Sequence, residues 1–171
     1  MTETEAGRVG LRPLTDDDTP LIDRLWQLYV HDLSESRGSL PNAEGMFKLG
    51  HLQWFRDQPT DWPGFLVTYD GAPAGFAFVG VKWAGGKRTI GEFFVVRAVR
   101  RRGVGEHVAR TLIERYPGRW EIAFQDSNRG APQFWQRVVS DIVGDAWRDE
   151  WRPVSGKPEV APDHWLLFEV Q

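Results

Sequence analysis

The sequence contains no cysteine, so disulfide bonds, thiolate metal sites and a cysteine acyl-enzyme are excluded. It also has little net charge, because 21 lysines and arginines against 24 aspartates and glutamates give a formal charge of −3. This balance offers no general attraction to nucleic acid or to an anionic membrane. The four histidines have no ligand-like spacing, and we therefore predict no metal site.

Long apolar runs are absent as well, and no stretch is long enough to span a bilayer. The polar first residues, MTETEAGRVG, lack the apolar segment of a signal peptide. We therefore expect a cytoplasmic protein with no membrane partner. The 171 residues include nine tryptophans and ten phenylalanines, which suit one compact domain over 1–171 with a loose tail at 1–8.

Hydrophobic spacing in the first half predicts two helices among short strands. The expected elements are a strand over 9–15, a helix from the carboxylates of 16–18 to about 33, a helix over about 43–56, and strands over 65–69 and 75–81. Asp70-Gly71 separates the last two strands, and this pair is typical of a β-hairpin turn.

The second half alternates strands with helices. After a turn at Ala84-Gly85-Gly86 we expect a strand over about 88–96, a helix over 103–116, a strand over 120–125, a helix over about 130–139 and a last strand over 164–170. Residues 141–160 give no clear pattern, and an irregular strand around 146–154 is one interpretation. The order predicts an α+β fold with an antiparallel front half.

The segment with the clearest chemistry joins strand 88–96 to the next helix and reads Arg100-Arg101-Arg102-Gly103-Val104-Gly105. The free N–H groups and the dipole of a helix start favour an anion. Glycines let a phosphate approach the main chain, and the arginines add positive charge, so a diphosphate is the natural ligand. The alternative is a solvated basic turn whose glycines serve only tight packing.

Other phosphate-binding motifs fit this segment less well. A P-loop needs Gly-Lys-Ser or Gly-Lys-Thr, which is absent. A dinucleotide fingerprint needs a third glycine where Val108 stands.

Two motifs together resemble the GNAT superfamily of acyl-CoA-dependent N-acetyltransferases. The first is Arg100-x-x-Gly103-x-Gly105 after a hydrophobic strand, which looks like the family's pyrophosphate motif. The second is Asn128-x-x-Ala131-x-x-Phe134-Trp135, which resembles the later helix motif Asn-x-x-Ala-x-x-Phe-Tyr. The resemblance covers about 9–140 and is specific over 90–139. The segments Glu92-Phe-Phe-Val-Val and Gly118-Arg-Trp-Glu121 resemble sequences of a bacterial subgroup of predicted acetyltransferases.

This resemblance implies a mixed central sheet of about six to seven strands, with helices on both faces and a splayed parallel pair that forms a slot for CoA. Acetyl-CoA would be the acyl donor, with no metal. The main chain of Val95 and Val96 would pair with the pantetheine arm as an added strand. Asn128, Phe134 and Trp135 would contact the same arm.

The implied reaction is direct attack of a neutral amine on the thioester. An alkylamine with a pKa near ~10.4 must lose a proton first, and Glu92 is the candidate general base. An alternative reading makes Glu92 a solvated or ion-paired strand residue, with Arg88 as its partner. Trp135 stands where many relatives have the tyrosine that protonates the thiolate, and an indole cannot do this. Tyr29 or water is the substitute acid.

The acceptor pocket is implied near the end of the first helix. Tyr29, Asp32 and Glu92 are the candidates for binding a cationic amine there, whereas His31 and Glu35 suit a polar helix end. The acceptor is a small-molecule or peptide amine, and the protein is a monomer or a homodimer.

Two other functions compete with the enzyme. One is a non-catalytic acyl-CoA-binding or sensing module of the same fold. The other is a nucleic-acid-binding protein that uses the arginine run, and the negative net charge argues against it.

Overall fold

The computed structural model describes residues 8–83, 85–125, 128, 130–154, 156 and 160–171. The chain divides into two compact units. The first comprises Met1–Val79 and Glu92–Gly105, and the second comprises Gly80–Gly91 and Glu106–Gln171. The single domain over 1–171 therefore stays a prediction, and the expected tail at 1–8 lies outside the described residues except for Arg8.

Seven strands form one mixed sheet in the order β1-β2-β3-β4-β5-β7-β6. They are β1 (Val9–Pro13), β2 (Gly64–Tyr69), β3 (Ala72–Trp83), β4 (Lys87–Val95), β5 (Gly118–Phe124), β6 (Trp147–Arg152) and β7 (Asp163–Val170). The helices are α1 (Thr19–Arg37), α2 (Leu52–Arg56), α3 (Val104–Arg115) and α4 (Ala131–Val143). The predicted mixed sheet of six to seven strands with helices is confirmed.

The first unit contains the antiparallel front of the sheet. β1 pairs with β2 and β2 pairs with β3, with Val9 opposite Tyr69 and Phe65 opposite Ala77. The turn between β2 and β3 is Asp70-Gly71, whose φ angles of 50° and 76° are both positive. A two-residue turn of this kind matches the twist of the strands that it joins. The hairpin predicted at this pair is confirmed.

The first helices differ from the prediction in their lengths. α1 continues beyond residue 33 to Arg37, because Gly38 ends it in a left-handed conformation and donates its N–H to the Ser34 carbonyl. The helix expected over 43–56 is wrong for its first part, since only Leu52–Arg56 is helical. The Asn42 side chain accepts hydrogen bonds from the main-chain N–H groups of Glu44 and Met46, which stabilises a turn there instead.

The second unit contains residues 87–91 of β4 together with β5, β6 and β7. β4 and β5 run parallel, with Arg88 opposite Trp120. β7 pairs antiparallel with both β5 and β6. The segment 141–160, where an irregular strand around 146–154 is one interpretation of the sequence, contains the regular strand β6. Polar residues dominate its sequence, WRDEWR, and give no clear strand pattern.

Large apolar side chains fill both units. In the first, the ring of Phe55 stacks on that of Phe78 at 4.7 Å, and Phe65 and Phe76 are fully buried. In the second, Trp120 stacks on Phe168, and Val108, Leu112, Ile113, Ile122 and Leu166 are buried completely. No helix within the described ranges has both the length and the apolar character that crossing a membrane requires.

Candidate active site

A hydrogen bond joins Glu92 on β4 to Tyr29 on α1, and both lie in the first unit. The Tyr29 hydroxyl donates to Glu92 Oε2, although the two residues are 63 positions apart in the chain. Tyr29 follows Leu25 and Trp26 by one helical turn, so it lies on the buried side of α1. The two residues selected as catalytic candidates are therefore in direct contact.

Aromatic rings surround this contact and limit its access to water. The Tyr29 ring lies 5.3 Å from that of Trp26, 5.6 Å from that of Phe76 and 5.8 Å from that of Phe94. The side chain of Glu92 is only 14% exposed. The carboxylate thus occupies a poorly solvated position with one strong donor.

Burial changes the proton affinity of both groups. It raises the pKa of Glu92 above its ordinary value of 4.5, while the hydrogen bond from Tyr29 and the positive charge of Arg37 act in the opposite direction. Burial, together with the negative charge of Glu92, also raises the pKa of Tyr29 well above 10. Tyr29 is therefore a stable donor to Glu92 and a poor acid at neutral pH.

A cavity of about 240 Å³ opens beside this pair. Its wall is formed by α1, by the segment that precedes α2, and by β4: Trp26, Tyr29, Val30, Arg37, Lys48, Leu49, Gly50, His51 and Glu92. His51 Nδ1 lies 3.9 Å from Glu92 Oε1, and the His51 side chain is 81% exposed. The cavity gives a small ligand access to Glu92.

The arginine turn comes directly before α3. Arg101 and Gly103 have φ angles of 61° and 76°, so two residues of this turn adopt the left-handed conformation. Successive main-chain N–H groups in such a backbone, followed by a helix start, form a concave site that suits an anion. Arg101 and Arg102 are exposed, and they pair with no carboxylate among the residues that the structure describes.

Arg100 has a different environment. Its Nε donates to the Val95 carbonyl at 2.6 Å, and its Nη2 donates to Asp32. Arg97 Nε donates to the other oxygen of Asp32 at 2.9 Å. Asp32, expected to bind a cationic amine, thus has both carboxylate oxygens bound by arginines of its own chain.

The residues of the second motif lie at the start of α4 in the second unit. Asn128 is exposed, and its carbonyl accepts a hydrogen bond from the N–H of Ala131, where the helix begins. The rings of Phe134 and Trp135 meet edge to face at 4.8 Å, and Trp135 is buried. Within the described ranges, no group of three or more histidines and carboxylates is placed to bind a metal ion.

Sequence reasoning missed Arg37, Lys48 and His51 as members of the site. None of them belongs to a motif, and Lys48 and His51 lie in the segment that was expected to be helical. Only the fold places them in one cavity with Glu92. The partners of Glu92 are Tyr29 and His51, not Arg88 as in the alternative reading of this residue.

Comparison with models of protein families identifies the family of this chain. The model of the acetyltransferase (GNAT) family matches residues 22–139, and the chain belongs to this family. No curated protein sequence matches the chain significantly.

Solved structures share the fold at low sequence identity. An acetyltransferase from Thermus thermophilus is 18% identical, with a TM-score of 0.67 over 95% of this chain and 97% of that one. The ribosomal-protein-S18-alanine N-acetyltransferase of Escherichia coli is 15% identical, with a TM-score of 0.63 over 95% and 94%. The spermidine N-acetyltransferase of Vibrio cholerae, in complex with CoA and spermine, is 10% identical, with a TM-score of 0.66 over 96% of both chains.

Proposed function

We propose that this GNAT protein transfers an acetyl group from acetyl-CoA to a primary amine. The observation that carries the proposal is the backbone of the turn before α3, where left-handed residues at 101 and 103 precede a helix start. Main-chain N–H groups there suit the diphosphate of CoA, and Arg101, Arg102 and the first helical residues Val104 and Gly105 would surround it. The Vibrio cholerae relative with bound CoA supports this choice of donor.

The pantetheine arm would leave this turn along the end of β4. Val95 and Val96 would offer main-chain groups to it, in the manner of an added strand. The Val95 carbonyl already accepts a hydrogen bond from Arg100. When the arm binds, this carbonyl would either accept a second hydrogen bond or exchange Arg100 for the arm.

Glu92 is the proposed general base. The amine nitrogen attacks the acetyl carbonyl carbon, a C–N bond forms, and the C–S bond breaks with its electron pair leaving on sulfur. Glu92 accepts the amine proton, and its raised pKa makes it a better proton acceptor than an ordinary carboxylate. The thiolate, whose conjugate thiol has a pKa near ~8.5, can leave and be protonated by water.

Tyr29 positions the Glu92 carboxylate in this scheme. Its hydroxyl donates to Glu92 Oε2 and thereby fixes the orientation of the carboxylate. Since burial and Glu92 raise the pKa of Tyr29, we assign it to positioning the base, and water takes the part of the acid.

Replacing Gly103 tests the proposed diphosphate site. Gly103→Asp should weaken CoA binding roughly 100-fold, because two like charges about 5 Å apart repel by about 3 kcal/mol at an effective dielectric constant of about 20. Calorimetric titration with CoA measures the loss, and release of free thiol in the presence of an amine library measures turnover.

Two control variants separate charge from backbone strain. Gly103→Ala introduces the same left-handed strain without the carboxylate. Gly71→Asp places a carboxylate at a glycine with the same φ of 76°, in the hairpin turn, where a side chain meets open space. CoA affinity that survives Gly103→Asp would refute the diphosphate site. CoA binding without thiol release for any amine would instead favour a non-catalytic acyl-CoA-binding module.

A further inference from the structure

The wall of the Glu92 cavity carries more positive than negative charge. Arg37, Lys48 and His51 all line it, and Glu92 is the one carboxylate among its lining residues. Glu92 is itself bound by Tyr29 and lies beside His51. A ligand in the cavity therefore meets two permanent cations and a histidine around a single, already hydrogen-bonded carboxylate.

Arg37 and Lys48 form no ion pair with a carboxylate within the described parts of the chain, although the positive charge of Arg37 also acts on Glu92. Both residues are exposed. Asp32, on the same helix as Arg37, is held by Arg97 and Arg100. Both cations are thus available to a group that a ligand brings with it.

This charge pattern matters for the acceptor, and the argument rests on the proposed acetyl transfer. A polycationic amine would place a second positive charge beside Arg37 and Lys48, which costs free energy. An amine that carries a negative group could place that group on the cations and its nitrogen at Glu92. The same cations would lower the pKa of a bound ammonium group and increase the fraction of neutral, nucleophilic amine.

We propose that the acceptor is a small amine bearing an anionic group, a carboxylate or a phosphate, which Arg37 and Lys48 bind while Glu92 faces the nitrogen. The cavity volume of about 240 Å³ supports a small acceptor, since pockets for drug-sized ligands measure about 300–1,000 Å³. Polyamines are poor acceptors on this proposal, in contrast to the spermidine acetyltransferase that shares the fold.

A panel of four amines of similar length tests the proposal. They are butylamine, 4-aminobutanoate, 3-aminopropyl phosphate and 1,4-diaminobutane, each assayed for thiol release from acetyl-CoA. We expect kcat/KM for the better anionic amine to exceed that for the diamine about tenfold, because two exposed ion pairs contribute up to about fivefold each. The two anionic amines distinguish a carboxylate site from a phosphate site. Equal values, or a faster diamine, would overturn the proposal.

Charge reversal on the cavity wall makes the test specific. Arg37→Glu and Lys48→Glu should each reduce the anionic-to-diamine ratio of kcat/KM about fivefold or more. Arg24→Glu is the matched control, since Arg24 is an exposed residue of α1 that does not line the cavity, and it should leave the ratio unchanged. The ratio is measured within one preparation, so a variant that folds partially still gives an answer. A ratio that both wall variants leave unchanged would also refute the proposal.

Binding without turnover separates this proposal from the proposed function. Calorimetry with 4-aminobutanoate, 3-aminopropyl phosphate and 1,4-diaminobutane needs no acetyl-CoA. Tighter binding of an anionic amine, lost in Lys48→Glu but kept in Arg24→Glu, supports the charge selection even if no thiol is released. Tighter binding of the diamine rejects it even if the protein proves to be an acetyltransferase.

Discussion

Glu92 and Glu121 are both poorly exposed, yet their electrostatic situations are opposite. Glu92, in the first unit, has a tyrosine hydroxyl as its hydrogen-bond donor, and burial raises its pKa. Glu121, in the second unit, is 6% exposed and accepts from Lys87 Nζ at 2.7 Å and from Arg152 Nη1 at 2.8 Å. Despite its burial, the hydrogen bonds from Arg152 and Lys87 lower the pKa of Glu121.

This difference shows that burial alone does not create a base. A carboxylate paired with two cations is stabilised in its charged form and has a low affinity for a proton, so Glu121 has a structural role in an ion pair. A carboxylate with a neutral hydrogen-bond donor and little water has a higher proton affinity, so Glu92 is suited to accept a proton. Replacing each glutamate by glutamine should therefore have different effects at the two positions.

The largest expected effect is on catalysis. Glu92→Gln should lower kcat about 100-fold or more, because general-base catalysis typically contributes that much, while the affinity for CoA stays unchanged. Glu121→Gln is the matched control and should retain kcat per folded molecule. Steady-state thiol release measures the first quantity, and CoA titration measures the second. A Glu92→Gln protein with wild-type kcat would remove Glu92 as the base.

The next effect is on stability. Glu121→Gln should lower the free energy of unfolding at pH 7 by about 2 kcal/mol, because Lys87 and Arg152 lose a buried anionic partner. The folded-state pKa of Glu121 is below the ordinary 4.5, so the carboxylate's stabilisation is present above pH 4.5 and is lost as pH falls through the lower folded value. The difference in unfolding free energy between wild type and Glu121→Gln should be smaller at acidic pH than at pH 7, as measured by urea unfolding.

Glu92→Gln should change stability in the opposite direction. The folded-state pKa of Glu92 lies above 4.5, so wild-type stability falls as pH rises from 4.5 through the raised value. A neutral amide avoids this cost and can still accept the Tyr29 hydrogen bond. The variant should therefore be more stable than wild type at neutral pH, and the difference should vanish below about pH 4.5. Destabilisation at pH 7 would show that Glu92 is a structural residue like Glu121.

The smallest effect concerns Tyr29. Tyr29→Phe keeps the ring but removes the donor, and this hydrogen bond lowers the pKa of Glu92. The pKa of Glu92 should rise further, and the acidic limb of the kcat/KM profile should move to higher pH, with kcat reduced about tenfold or less. A profile that loses activity without moving would indicate that Tyr29 only supports packing.

Much of the fold follows from local sequence patterns. The hairpin at Asp70-Gly71 and the strand, turn and helix around residue 103 need only neighbouring residues to specify them. The helix expected from 43 failed, because Gly45 and Gly50 adopt left-handed φ angles of 76° and 54° that its apolar spacing does not reveal. The strand interpretation around 146–154 agrees with β6 in position but not in regularity, because pairing with β7, and not the polar sequence of β6, holds β6 extended.

The site was predictable only in its separate parts. Glu92 and Tyr29 were selected from a strand position and a helix end, but their contact depends on how α1 lies against β4 in the first unit. Asp32 is an acid at the helix end and was expected to bind an amine. Its arginine partners, Arg97 and Arg100, lie 65 and 68 residues later, where no local pattern connects them to it.

The helix α1 holds one stretch of chain at two points. Tyr29 binds Glu92, and Asp32, three residues later on the same helix, binds Arg97 and Arg100. The nine residues from 92 to 100 are therefore held by side-chain contacts of α1 at positions 92, 97 and 100. A molecule that binds along this stretch meets a preorganised main chain, so little of its interaction energy is lost to restricting backbone motion.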